Sequence, residues 1–284
     1  MLVATVLALS SAGLHASWNM LVKTSTQRDL AAWGQFLFAG ILVLPVLAVI
    51  GLPPVDALPY LLGSAAVHVA YITALVKAYT HGDFSLVYPL ARGGGAFFAA
   101  IGGVLFLGDV LAIPSWVAIG IVAVGLLSLI RPGTSRASIL WAVFTAFTIA
   151  VYTLIDSQGS RISHEIQGAD IASVRYSFAL MPCAAIGISI ANAARGRTTA
   201  FIESVPSNWK RYTIAAVFLT AAYTLVLVAV LTAPVGYVTM LRESSVVMGA
   251  LAGWLFLHEK MGRSRVVSSL VIVTGLVLLI VTTI

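Results

Sequence analysis

Ten unbroken apolar runs, centred near residues 12, 40, 68, 95, 121, 147, 180, 221, 246 and 273, constrain this chain more than any other feature. Each is about 20 residues long, the length that carries a helix across about 30 Å of hydrocarbon at 1.5 Å per residue. Lipid admits only helices and closed barrels, because backbone polar groups must be satisfied internally. Barrel strands alternate apolar and polar residues; these runs do not. Composition agrees, with 60% hydrophobic and 9% charged residues, against about 25% charged in a soluble domain. The expected fold class is therefore all-α integral membrane, with ten transmembrane helices.

Gly, Pro and charge place the breaks. In the first half they fall at Lys23 to Asp29, Gly51 to Pro54, His81 to Asp83, Gly108 to Pro114 and Arg131 to Gly133. In the second half they fall at Gln158 to Asp170, Ala194 to Lys210, Thr232 to Val235 and His258 to Arg265.

A shift of 150 residues exposes an internal repeat. It lays Arg92 on Arg242, Gly103 on Gly253, Leu105-Phe106-Leu107 on Leu255-Phe256-Leu257, Asp109 on Glu259, and Gly125-Leu126 on Gly275-Leu276. Arginine on arginine inside an apolar run is hard to obtain by chance. The repeats divide the chain at 1–133 and 134–284. Five spans in the first reverse the orientation of the second, which predicts an inverted repeat around a central cavity. Lys23, Arg28, Arg131, Arg136, Arg195, Arg197, Lys210, Arg211, Lys260, Arg263 and Arg265 fall in loops on one side, and essentially Arg161 alone on the other. The positive-inside rule makes the first side cytoplasmic and both termini periplasmic or extracellular, in a bacterial-type inner membrane.

Several functions are disfavoured. One cysteine, Cys183, permits neither an internal disulfide nor a cysteine metal cluster. No HExxH, DxxD or GxSxG is present, so an intramembrane enzyme lacks its nucleophile, metal or paired acids. The Gly93-Gly94-Gly95 run has no following GKS or GKT and is no phosphate loop. Neither cofactor nor metal is expected. The basic residues lie in short loops and set topology, so no nucleic-acid partner is expected. The apolar start lacks a basic leader and a cleavage pattern, and reads as the first helix.

Polar groups at membrane depth mark the candidate site, since a charge at a helix centre costs about 2.5 to 3.5 kcal/mol on insertion scales. Arg92 and Arg242 lie mid-span, with Tyr88 four residues before Arg92 on the same face. Ser11, His15, Trp18, Asn19 and Lys23 form a stripe on the first helix. Thr145, Thr148, Tyr152 and Asp156 form the equivalent stripe on the sixth. His68 and Tyr71 share a face of the third helix, as do Thr220, Tyr223 and Thr224 on the eighth. The substrate-binding candidates are therefore His15, Trp18, Asn19, His68, Tyr71, Tyr88, Arg92, Tyr152, Tyr223 and Arg242. Glu243 is the candidate for proton coupling, or a salt-bridge partner for an arginine.

His15-Ala16-Ser17-Trp18-Asn19, Tyr88-Pro89-Leu90-Ala91-Arg92-Gly93, Leu241-Arg242-Glu243-Ser244-Ser245 and the paired Leu-Phe-Leu-x-acid endings complete the pattern. With the five-plus-five repeat, they resemble the EamA-type ten-helix members of the drug/metabolite transporter superfamily. The resemblance implies a cavity lined by helices 1, 3, 4, 6, 8 and 9, with helices 5 and 10 peripheral. Asp109 departs from the glutamate usual at its position. The implied function is a secondary transporter, an exporter of small polar metabolites such as amino acids or amines, working by alternating access. Alternatives are a transporter of anionic organophosphorus or lipid-linked compounds, or a multidrug exporter. The expected partners are a small-molecule substrate and the lipid bilayer, with proton coupling or exchange as the energy source. Nothing in the residues specifies an oligomeric state.

Overall fold

The computed structural model describes residues 1–81, 84–128, 135–168, 171–248 and 263–283, with the backbone alone at 23, 79, 84–86, 88, 89, 263–266, 269 and 283. The described residues are all-helical. The helices are α1 (Leu2–Lys23), α2 (Arg28–Ile50), α3 (Leu58–His81), α4 (Phe84–Phe106), α5 (Ile113–Leu127), α6 (Arg136–Gln167), α7 (Ile171–Ala194), α8 (Thr198–Ala229), α9 (Val235–Arg242) and α10 (Arg263–Thr283), with a 3₁₀ turn at Val55–Ala57. Five segments are long and apolar enough to cross a bilayer: Arg28–Ile50, Val55–Ala78, Arg136–Gln167, Ile171–Ala194 and Thr198–Ala229.

Two predicted breaks are corrected. Helix α6 runs to Gln167, through the expected break at Gln158 to Asp170, and Gly168 ends it in a left-handed conformation, φ 59°. Helix α8 begins at Thr198, so most of the stretch from Ala194 to Lys210 is helical. At 32 residues each, these helices reach about 48 Å, longer than a bilayer's hydrocarbon. Their polar turns are held by tertiary bonds. Ser160 donates to Ser173 (2.8 Å) and Leu227 O (3.2 Å), while Phe201 stacks on Trp33 at 4.1 Å. Arg161, Lys210 and Arg211 are thus helical residues and not loop residues, and Lys23, Arg28, Arg136, Arg263 and Arg265, also expected in loops, fall in the end turns of helices.

Small residues let the helices approach. Ala4, Ala8 and Ala12 are wholly buried one turn apart on α1, and Ser11 on the same face donates to Ala222 O of α8 at 2.7 Å. Large side chains such as Ile41, Leu62, Phe106, Phe147, Ile190 and Leu270 stay exposed, an apolar coat suited to lipid.

The helix pairs that join the first five helices to the last five are α1 with α8 and α9, α2 with α7 and α8, α3 with α6 and α7, α4 with α6 and α9, and α5 with α10. Exchanging every helix with the one five places away returns the same set: α1–α8 becomes α6–α3, α2–α8 becomes α7–α3, and α4–α6 becomes α9–α1. The α5–α10 crossing repeats this at residue level. A Cβ on Gly125 would stand 3.1 Å from the backbone N of Ile272, and one on Gly275 would stand 3.0 Å from the backbone N of Val122. Both pairs, 125 with 275 and 122 with 272, are related by the 150-residue shift. Bare glycine at both positions lets the two backbones touch.

Candidate functional site

The charged cluster lies where α4, α9 and α1 meet. Helix α9 stops at Arg242, Glu243 forms a turn, and residues 244–248 are helical again. The ladder tightens there: Glu243 N donates to Met240 O (3.0 Å) and Val246 N donates to Glu243 O (2.9 Å), both three residues back. Such mid-helix tightening often accompanies a hinge or local strain, and backbone irregularity at membrane depth is tolerated only inside protein or beside a cavity.

From this turn Glu243 Oε1 accepts Arg92 Nη2 of α4 at 2.9 Å. Arg242, the neighbouring residue, points elsewhere, its Nη2 lying 3.4 Å from His15 Nδ1 of α1. The pairing is therefore crosswise between helices, as a rotation of about 100° between successive helical residues requires. Trp18 packs edge-on to His15 at 4.8 Å. All five side chains are buried, Glu243 at 1% exposure. Several polar atoms here are satisfied by nothing within the protein among the described residues: His15 Nε2, Trp18 Nε1, Arg242 Nε and Glu243 Oε2. Native interiors rarely tolerate such a set without an explanation.

An aromatic cluster adjoins it. His68 stacks on Tyr152 at 4.3 Å, with Tyr71, Tyr223 and Phe36 around the two rings at 5.4–6.2 Å. Tyr152 is in Coulombic reach of Arg92, Arg242, Glu243 and Asp156, so it joins the aromatic and charged clusters. Of the sequence-predicted residues, His15, Trp18, Arg92, Arg242 and Glu243 come together in one cluster and His68, Tyr71, Tyr152 and Tyr223 in the other. Asn19 is buried, and its Nδ2 donates to His15 O on its own helix at 2.8 Å. The side chain of Tyr88 lies outside the described residues, as do that of Lys23 and all of Glu259. Thr145 and Thr148 donate to carbonyls of their own helix.

Sequence reasoning placed Asp156 in a stripe but did not single it out. Its Oδ1 accepts Tyr176 OH (2.9 Å), and its Oδ2 accepts Ser64 Oγ (2.8 Å) and Tyr223 OH. Gly159 makes the Tyr176 contact possible: a Cβ there would meet the Tyr176 ring at 2.4 Å. Ser64, one turn before His68, was legible as an extension of the α3 stripe. Tyr176 and Gln35 carried no signal. Gln35 is wholly buried, and neither amide atom has a partner among the described residues.

Asp109 proves structural. Its Oδ2 accepts Val235 N at the start of α9 (2.6 Å), and its Oδ1 pairs with Arg161 of α6 (2.8 Å). It thus caps one helix of the second half and ties it to another. At the opposite end, Arg197 pairs with Asp29 and Arg195 Nη2 donates to Thr73 Oγ1 at 3.0 Å.

A crystal structure titled only "Crystal structure of protein" superposes with a TM-score of 0.73 over 98% of both chains at 13% identity, which speaks to the fold alone. No curated protein matches the chain. A family profile described as "EamA-like transporter family" matches residues 136–281, just over half of the sequence. The protein belongs to the EamA-like transporter family and is a membrane transporter of small molecules.

Proposed function

We propose that the protein is a secondary transporter that exports small polar metabolites, amino acids or amines, by alternating access between two inverted five-helix repeats, 1–133 and 134–284. The observation that carries this reading is the set of buried polar atoms without a partner among the described residues: Trp18 Nε1, Arg242 Nε, His15 Nε2 and Glu243 Oε2. Two are obligate donors and one is a carboxylate acceptor. A zwitterion supplies the complement, its carboxylate to Trp18 and Arg242 and its ammonium to Glu243. Tyr152, Tyr71, Tyr223 and His68 form an aromatic wall for the apolar part, and Asn19 holds the His15 backbone. Arg92 orients Glu243, and Tyr88 lies one turn before Arg92 on α4.

The packing set that returns to itself on a five-helix exchange supports the inverted repeat, as does the paired Gly125 and Gly275 crossing. Two such halves can trade conformations, closing one side while opening the other. Most of the cations predicted for the cytoplasmic side stand at helix ends or in loops, which supports an exterior position for both termini. A cysteine added before Met1 in a Cys183→Ser background should react with an impermeant reagent in intact cells; reaction only after lysis contradicts this orientation.

The substrate class is tested by thermal unfolding of the purified protein with amino acids, amines, phosphonates and lipophilic cations. A ligand that binds only the folded state stabilises it by about 2.7 kcal/mol at a hundred times its dissociation constant. Stabilisation is expected from zwitterionic compounds. Shifts with phosphonates alone favour the organophosphorus reading, since they use the cations but not Glu243. Shifts with lipophilic cations alone contradict the zwitterion site.

A further inference from the structure

We infer that Asp156 is a proton-binding site, and that its protonation loosens the end of the bundle nearest the α6–α7 connection. The other acids with ion pairs among the described residues each face an arginine: Glu243 with Arg92, Asp109 with Arg161, Asp29 with Arg197. Asp156 is wholly buried, and no cation pairs with it among the described residues. Its partners are hydroxyls alone, from Ser64 of α3, Tyr176 of α7 and Tyr223 of α8. One carboxylate thus joins four helices. Ionisable groups inside membrane spans are rare, and they mark substrate or ion pathways and proton relays.

The chemistry of the cage gives the consequence. An ionised carboxylate only accepts, and three hydroxyl donors suit it; a protonated one must also donate. Oδ2 receives two of the donors, so a proton placed there makes one of them reverse or withdraw. Ser64 has somewhere to turn: its Oγ lies 3.2 Å from His68 Nδ1. His68 Nδ1 is also 2.9 Å from Ser64 O, so the hydroxyl's choice and the imidazole tautomer are linked. His68 stacks on Tyr152, one turn from Asp156 on α6, and the change therefore reaches the aromatic wall. Where Tyr223 is the donor that withdraws, α8 loses one of its bonds to α6, leaving that of Ser160 to Leu227 O. The proton comes from water, and no other group changes its proton count. The titratable groups facing the carboxylate are Tyr176 from α7, Tyr223 from α8, His68 through Ser64 from α3, and Tyr152 on α6 itself. Tyr60 and Cys183 stand behind Tyr176.

The proton site itself needs no transport to be observed, and only its consequence rests on the transporter reading. The test is an infrared pH titration of the full-length protein in lipid, following the carbonyl stretch of a protonated carboxylic acid. Acidification should raise a band that Glu243→Gln retains and Asp156→Asn lacks. Asp156→Glu should move the band, which keeps the assignment testable if the asparagine variant does not fold. The second readout is thiol labelling of Leu227→Cys in Cys183→Ser, in detergent at neutral pH. Adding Asp156→Asn, a stand-in for the protonated acid, should raise the labelling rate about tenfold, the scale of a modest population shift. A band that survives in Asp156→Asn, a band that follows sodium at fixed pH, or labelling unchanged by Asp156→Asn overturns the proposal. Loss of solute flux with the band intact counts against the transport reading and leaves the proton site standing.

Discussion

Glu243→Gln is expected to lower stability by about 3 to 5 kcal/mol, the usual cost of removing one charge from a buried ion pair. Glu243 is 1% exposed and accepts Arg92 Nη2 at 2.9 Å. It also sits where α9 tightens into a turn, so the pair holds that turn against α4. Glutamine keeps the volume and removes the charge, which separates electrostatics from packing. The double replacement Arg92→Met with Glu243→Leu should recover most of the loss, because apolar residues of similar size often replace a buried pair at little cost. Thermal unfolding in one detergent should therefore rank wild type and the double variant well above Glu243→Gln. Equal melting for Glu243→Gln and wild type would mean that the pair is not held together in the protein.

Arg242→Gln should behave in the opposite manner, sparing the fold and abolishing function. The guanidinium Nη2 lies 3.4 Å from His15 Nδ1, and its Nε has no partner among the described residues. Its removal therefore costs the empty protein little, whereas a bound carboxylate loses a charged partner. Truncating one side of a buried, charged hydrogen bond costs 2 to 5 kcal/mol, or about 30-fold to several thousandfold in affinity. Flux of a zwitterionic solute should fall by that order. Trp18→Phe, which keeps the ring and deletes the Nε1 donor, should lose about tenfold. A melting temperature that falls with Arg242→Gln as far as with Glu243→Gln would mark Arg242 as structural.

These two arginines also show what was legible in the sequence. Their depth and repeat relation could be read directly, because charge inside an apolar run is rare and the 150-residue shift superposes them. Their partners could not. Whether Glu243 meets Arg92 or Arg242 depends on how α4 crosses α9 and on the turn at Glu243, and neither is a local property. The centres of α1 to α5 and α10 followed from apolar length, while two boundaries in the second half failed and the expected span around 246 runs beyond the described residues. Residues around Ser160 and Phe201 are polar or charged enough to suggest loops, yet they stay helical because Ser173, Leu227 and Trp33 satisfy them from other helices. Asp156 was visible as one member of a stripe on α6. Its hydroxyl cage was not, since the three donors come from α3, α7 and α8, 92, 20 and 67 residues away in sequence.

The central claim is that the buried cluster between the two halves carries a small zwitterion across the bilayer. The most direct test is counterflow in proteoliposomes preloaded with an unlabelled amino acid, with the labelled compound supplied outside at trace level. Transient accumulation of label that Arg242→Gln abolishes, with the variant folded, is the predicted result. Accumulation equal in wild type and Arg242→Gln, or seen only with lipophilic cations, would contradict the account.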